Sequence, residues 1–446
     1  MRPPTGPGDT WSRLLWVLLF LIPVIVLFLA PAAAPLAVGV WFWLALLVCF
    51  WLITTMAGMP KAESTFAEES GPRMLPEAEQ PDAIKEVMFV NVATEDARGM
   101  QMFRGRLRLS AASAHERLRR AFGGQSVPLL QQDDEMEAAV VLVPGSAEGR
   151  RVDQPIRPWV HWLLFGLTIV TTTWAGAGHQ GVNLLREPER FGVGLPYSLG
   201  LLAILGVHEL GHYFMARRHG IYVTPPYFIP APMALGTFGA FIQMRSPVQD
   251  RRALFDVAVA GPLAGLAIAV PALLIGLQSS TVIPSSAPVE GMMGGTSVGS
   301  SVLFALLAKW SIGPTLEYGH VLRLSPLAFA GWLGLLVTAL NLLPIGQLDG
   351  GHMSSAMFGR RTSGAIGSIA MWTLLLLAIF VWPGLTMWAI LVFFIAGTSV
   401  PPLNDLTPLT PNRQWIGYAT FGILALILAP LPHAVWSAAG LHCPYL

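Results

Sequence analysis

Repeated apolar runs of about 18 residues or more constrain this chain more than any other feature. In a bilayer every backbone N–H and C=O must find its partner inside the protein, so such runs fold as membrane helices. The pattern predicts helices near Leu14–Ala30, Leu36–Met56, Trp159–Ala177, Leu195–Ala216, Ala253–Leu277, Pro326–Leu343, Ala365–Val381, Leu385–Gly397 and Ile416–Leu428. The run around Val302–Trp310 is too short to span, and an interfacial helix is expected there. Composition agrees. Of 446 residues, 53% are hydrophobic and 12% charged, against roughly a quarter charged in a soluble domain.

The charges are unevenly placed. About half fall between Pro60 and Arg157. Within this stretch Lys85–Val92 and Met100–Leu109 alternate like strands. "AASAHERLRRAF" (Ala111–Phe122) reads as a helix ended by Gly123–Gly124, and Ala138–Val143 as a further strand. The expected unit is a small β-β-α-β domain, with the Glu- and Pro-rich stretch Lys61–Asp82 as a linker. The predicted fold class is an all-α polytopic membrane protein of about nine spans with a small α+β soluble domain and a membrane-associated β-hairpin. The domain bounds follow: 1–59 an N-terminal helical hairpin, 60–157 the soluble domain with its linker, 158–414 the core, and 415–446 a last helix and tail.

Arginines near the predicted helix ends set the orientation. Arg2, Arg13, Arg151, Arg157, Arg217, Arg218, Arg251, Arg252, Arg360, Arg361 and Arg413 fall on one side. Arg186, Arg190, Lys309 and Arg323 fall on the other. The first set is expected to be cytoplasmic, with the N-terminus and soluble domain, in a bacterial inner (cell) membrane. A net charge of +1 gives no bulk electrostatic case for nucleic acid. Cys49 and Cys443 lack metal-type spacing and read as packing residues.

The fourth predicted span, "LAILGVHELGHYF" (Leu202–Phe214), carries His208, Glu209 and His212 inside an apolar run. Residues four apart share a helix face about 6 Å apart, so both imidazoles can converge on one metal. Glu209 is turned about 100° away from His208 and flanks that pair. In HExxH zinc sites this Glu is the general base. A charged side chain at a helix centre costs about 2.5–3.5 kcal/mol on insertion scales. A bound metal offsets that cost; a hydrogen-bonded cluster joining helices is the plainer alternative.

A catalytic zinc needs three protein ligands and one open position. The remaining histidines, His115, His161, His179, His219, His320, His352, His433 and His442, mostly fall in loops or helix ends and are expected to be solvated. Asp349 is the better candidate. It lies in "NLLPIGQLDGGH" (Asn341–His352), where Pro344 and Gly350–Gly351 break the helix and let backbone and carboxylate approach. An ordinary N-cap or Asx turn is the alternative for Asp349.

A membrane-embedded HExxH followed by an NxxPxxxLDGG motif resembles the site-2 protease family of intramembrane zinc metalloproteases. The resemblance covers roughly Trp159–Gln414 and implies one Zn2+ per chain. It implies His208, His212 and Asp349 as ligands, Glu209 as base, and Asn341 in a substrate or oxyanion role. It gives His352 no clear role. "GTFGAFIQMRS" (Gly236–Ser246) is similar to the family's β-hairpin. Gly236, Gly239 and Phe241 are candidates for holding an extended substrate there by strand addition; a plain re-entrant loop is the alternative. "AGPLAG" (Ala260–Gly265) resembles a family signature and reads as close helix packing. "PPLNDLTPLTPNRQ" (Pro401–Gln414), with no evident PDZ domain, looks like the plastid and cyanobacterial EGY-type branch.

The resemblance implies hydrolysis of peptide bonds in or near membrane segments, with a membrane protein as substrate and the lipid bilayer as surroundings. A homo-oligomer is compatible with it. A metal or proton transporter is the rival reading. It needs ionisable residues spread over several helices, whereas here they cluster. The soluble domain is expected to gate access or mediate assembly, or to be a passive tether.

Overall fold

The computed structural model describes residues 73–97, 99–132, 137–145, 157–231, 235–284, 301–312, 320–380, 385–395, 397 and 400–429. The described residues all lie in one compact unit, Ser70–Leu446. The expected helices Leu14–Ala30 and Leu36–Met56, with Cys49 and Cys443, lie outside the described residues.

The α+β domain is larger than the sequence pattern suggests. Its five strands are β1 (Arg73–Met74), β2 (Met88–Glu95), β3 (Gln101–Leu107), β4 (Ser126–Gln132) and β5 (Ala138–Pro144), in sheet order β1-β2-β3-β5-β4. All neighbouring pairs run antiparallel. Two helices, α1 (Asp82–Val87) and α2 (Ala111–Phe122), bury Ile84, Val87 and Leu118 against Phe103, Leu130 and Val140. Three expectations are corrected here. Lys85–Val87 is helix rather than strand: Pro81 is its N-cap and the β-run starts at Met88. The linker ends before Arg73, which pairs with Glu95. β4, with only partial alternation, was missing from the expected unit. Ser110 caps α2 by accepting from Ser113 N, and Gly123 follows its last turn.

Beyond this domain the chain is mainly helical: α3 (Pro158–His179), α4 (Leu195–Arg218), α5 (Arg251–Gln278), α6 (Val302–Ile312), α7 (Pro326–Leu342), α8 (Asp349–Phe358), α9 (Arg360–Phe380), α10 (Leu385–Ile395) and α11 (Pro411–Leu428). Among the described residues four stretches are long and apolar enough to cross a membrane: Pro158–His179, Pro188–Arg218, Arg251–Gln278 and Arg360–Phe380. Helices α7 and α10 are shorter, at 17 and 11 residues. A helix is present near Val302 as α6, and its Phe304 and Ala308 join the main core.

Helices α4, α5 and α7 form that core, with Leu201, Ile204, Leu266, Leu273, Leu333 and Leu336 among its buried residues. Apolar packing does not drive association in lipid, so close approach of small residues does. A side chain at Gly331 would strike Leu273, one at Gly276 would strike Ala328, and one at Gly334 would meet Ile204.

A β-hairpin follows α4. Its strands are β6 (Tyr227–Pro230) and β7 (Thr237–Phe241), with Tyr227 opposite Phe241 and an irregularity between Phe228 and Pro230. The hairpin expected within Gly236–Ser246 therefore takes its first strand from upstream. Pro230 inside that strand, with Pro225 and Pro226 just before it, hid the strand in the sequence.

Residues 403–405 form a strap between the soluble domain and the helical core. Leu130 N donates to Leu403 O at 2.7 Å and Asp405 N to Leu130 O at 2.8 Å. On the other side Leu403 N donates to Val248 O and Asn404 N to Gln249 O, both at 2.9 Å. Asn404 thus makes parallel bridges to both Leu130 and Asp250. Its side chain donates to Ala111 O, and Leu406 packs on the soluble core. Arg251 Nε donates to Asp405 Oδ1 at 2.8 Å, with the Asp405 side chain 3% exposed.

Candidate functional site

Helix α4 distributes its apolar residues around its whole circumference rather than along one stripe. His208, Glu209 and His212 are buried within it. One helical turn apart, the two imidazoles face the same neighbour, and their Nε2 atoms stand 3.1 Å from each other. Asp349 Oδ2 lies 3.4 Å from His208 Nε2 and 3.3 Å from His212 Nε2. One ligand atom from each of the three lies within 4.8 Å of the others, and together they could hold a metal ion.

The LDGG turn delivers the carboxylate. Asp349 is the first residue of α8, whose N-cap Leu348 makes no side-chain cap. The helix-cap alternative for Asp349 therefore does not describe this turn. A side chain at Gly350 would strike the Leu342 carbonyl, and one at Gly351 would strike those of Ile345 and Gly346. Only glycine lets α8 start this close to the end of α7. Gly346, at φ 52°, turns the chain between them.

The donor set suits zinc. Two neutral imidazoles and a carboxylate leave one position of a tetrahedron open. His212 Nδ1 is 2.8 Å from Val257 O. An N–H on Nδ1 donates there and leaves Nε2 as the lone pair facing the cluster. Asp349 keeps the most exposure of the three side chains, 18% against 5% and 9%, so the cluster opens on its side.

Around the cluster, Asn341 Nδ2 sits 3.4 Å from His208 Nε2. The Ile242 backbone N–H lies beside the Glu209 carboxylate, which puts the candidate base next to the residue that follows β7. Gly236 and Gly239 both take positive φ, 77° and 104°. Phe241 is partly exposed and stacks on Tyr227 at 5.3 Å. His352 packs close by but is not one of the three grouped ligands. Its Nδ1 is buried without a partner. Two further histidines correct the expectation of solvation: His115 and His161 are buried, in α2 and α3.

Sequence reading missed the floor of the site. A Cβ on Gly261 would run into the His212 ring, and one on Gly265 would press on the His208 ring. The two glycines are four apart on α5 and the two histidines four apart on α4, so each glycine receives one imidazole. That matched spacing was present in "AGPLAG" and "HELGH"; what hid it was reading the first motif as helix packing alone. Gly211 completes the contact, because a side chain there would strike Ala260 O.

Comparison with known proteins points the same way. Residues 196–381 match the model of Peptidase family M50. The chloroplastic protein named probable zinc metalloprotease EGY2 of Oryza sativa subsp. indica is 32% identical over 357 residues, covering 77% of this chain and 64% of that protein. The EGY2 protein of Arabidopsis thaliana is 30% identical over 359 residues, 77% of this chain and 61% of its own. Arabidopsis EGY1 is 34% identical over 244 residues, 54% and 43% respectively. The chain thus spans somewhat under two thirds of the length of these relatives. No solved structure matches it. The paired histidines and the aspartate fall inside the region that matches Peptidase family M50, and over 77% of its length the chain is similar to EGY-type zinc metalloproteases.

Proposed function

We propose that this chain is an intramembrane zinc metalloprotease that cuts peptide bonds in or near the membrane segments of other proteins. One observation carries the reading: two imidazoles and a carboxylate from distant parts of the sequence converge within 4.8 Å inside an apolar helix bundle. His208, His212 and Asp349 would hold one Zn2+. When bound, the ion supplies a Lewis acid that brings a water's pKa toward about 7 and polarises the scissile carbonyl. Glu209 takes the proton of the attacking water on its carboxylate and delivers it to the leaving amine nitrogen. Asn341 donates its amide N–H toward the carbonyl oxygen as charge develops there. A helical substrate hides its carbonyls in hydrogen bonds, so it must be held extended, and β7 with Gly236, Gly239 and Phe241 offers the strand for it.

The transporter reading finds no support in these relatives, and the metal-capable cluster among the described residues is confined to this one site. For orientation, we place the soluble domain and the ends of α4, α5 and α11 on the cytoplasmic side of a bacterial cell membrane. Supporting this, Arg413 donates bidentately to Asp256 at 2.7 Å for both bonds, and His219 Nε2 lies 2.9 Å from the same carboxylate. These contacts gather Arg217, Arg218, Arg251, Arg252 and Arg413 at one face, as the positive-inside rule requires. We retain the domain bounds 1–59, 60–157, 158–414 and 415–446, nine spans, and a homo-oligomer as part of the proposal.

The test is Glu209→Gln in the full chain, reconstituted with a single-span substrate. It should keep one zinc per chain and lose cleavage. Full activity in that variant refutes the role given to Glu209.

A further inference from the structure

The hairpin is held at its deep end by two side chains that have no part in the metal site. Tyr197, fully buried in the first turn of α4, donates its hydroxyl to Leu235 O at 2.9 Å. Thr171, on α3, donates to Gly236 O at 2.6 Å. A helical threonine ordinarily bonds back to the carbonyl of its own preceding turn, as Thr168 does to Leu164 O. Thr171 has such carbonyls at 3.1 and 3.2 Å, yet its shortest contact is to the hairpin. Gly236 takes φ 77°, and a side chain there would strike Thr172 Cα, so the hairpin backbone lies directly on α3. Thr171 sits roughly 20 Å along α3 from its start, past the middle of that 22-residue apolar helix.

At its other end β7 runs into Ile242, whose N–H meets Glu209. Gln243 then pairs with Thr224 through two 3.0 Å bonds. Between these ends Thr237 holds the strand's irregular stretch: its hydroxyl donates to Ile229 O at 2.8 Å and accepts from Gly239 N at 3.0 Å. The span from Gly236 to Ile242 therefore has fixed ends. At about 3.3 Å per residue it covers roughly 20 Å. Any segment paired along β7 is placed relative to Glu209 by where the deep end is fastened.

We infer that Tyr197 and Thr171 are positioning residues that set the register of an extended substrate on β7, and so select which peptide bond meets Glu209. This rests on the protease reading above. A one-residue slip in pairing turns every side chain to the opposite face, so a loosened fastening should blur the cut site before it slows the chemistry.

The experiment uses full-length chains carrying Tyr197→Phe, Thr171→Val, or both, with Thr171→Ser as the conservative control. Zinc stoichiometry, KM and kcat are measured on a single-span substrate, and cut positions are mapped by mass spectrometry. Expected are unchanged zinc, KM raised roughly tenfold in the double variant, kcat altered much less, cuts spread to neighbouring bonds, and recovery in Thr171→Ser. Hydrogen exchange at residues 237–242 reads the fastening without turnover and should quicken in both single variants. One sharp cut site with wild-type KM in the double variant overturns the inference, as does zinc loss with the cut site unmoved, or unchanged exchange. A wild-type chain that binds zinc but cuts nothing sinks the protease reading, while faster exchange in the variants still upholds the fastening.

Discussion

Gly261→Ala should remove the metal, and the size of the effect follows from geometry. A Cβ there would stand 2.5 Å from His212 Cδ2 and closer still to Nε2 and Cε1. Ordinary carbon contacts are about 3.5–4.0 Å, so the ring must shift by about 1 Å or the helices must part. Parting is resisted, because Gly211 already brings α4 against Ala260 and Ala264, and Asp256 ties α5 to His219 at the end of α4. The ring therefore moves. Metal sites tolerate about 0.2 Å of error in ligand distance, so a 1 Å shift takes His212 out of the set. Gly265→Ala is the internal control. Its Cβ would lie 3.1 Å from His208 Nδ1 and 3.2 Å from its Cβ, which a movement of a few tenths of an ångström relieves. Overpacking of this kind costs about 1–3 kcal/mol. Zinc affinity should fall by more than about a hundredfold in Gly261→Ala and by less than about tenfold in Gly265→Ala. The assay is zinc content per purified chain across a series of chelator strengths, with resistance to proteolysis as the check on folding. Wild-type affinity in a folded Gly261→Ala chain refutes the reasoning, as does equal loss in both variants.

Other outcomes follow from the same structure. Asp349→Ala should lower bound zinc, while His352→Ala should leave one ion per chain by metal analysis. Asp405→Ala strands Arg251 in a largely buried position; breaking such a pair costs about 3–5 kcal/mol, read as faster hydrogen exchange at Leu130 and residues 403–405. His115 is buried in α2 with neither ring nitrogen partnered. Burial, and after it the charge of Arg119, lower its pKa below the ordinary 6.5, outweighing the opposite pull of Glu116 and Asp250. The folded domain thus binds its proton less readily than the unfolded chain does, so stability present above about pH 6.5 falls as the pH drops below it. His115→Gln should flatten that dependence in exchange measurements on α2.

Much of the site was legible because its chemistry is local or spelled out by helix breakers. The histidine spacing gave a shared helix face, and Pro344 with Gly350–Gly351 marked where a carboxylate could return to the membrane interior. The floor of the site was harder to see. Gly261 and Gly265 carry no side chain, so their role shows only in what they would obstruct. Val257 acts through its carbonyl, to which any residue type is equivalent. In the soluble domain the pattern failed where tertiary contacts decide. Lys85–Val87 could alternate as strand, but following Pro81 it forms a short helix that buries Ile84 and Val87. Tyr197 carries no local signal in the sequence, because its hydroxyl's partner, Leu235 O, lies 38 residues on.

The strap at 403–405 also fixes an order of events during synthesis. Asn404 is made 293 residues after Ala111, the carbonyl it finally grips. At about 5–20 residues per second, the outer edge of β4 waits roughly 15–60 s for its last partner. An unpaired strand edge is a template for joining the wrong chain. Pro128 sits in β4 and offers no N–H to such a partner. The nascent soluble domain thus carries its own safeguard for the interval before the end of the chain arrives to cover it.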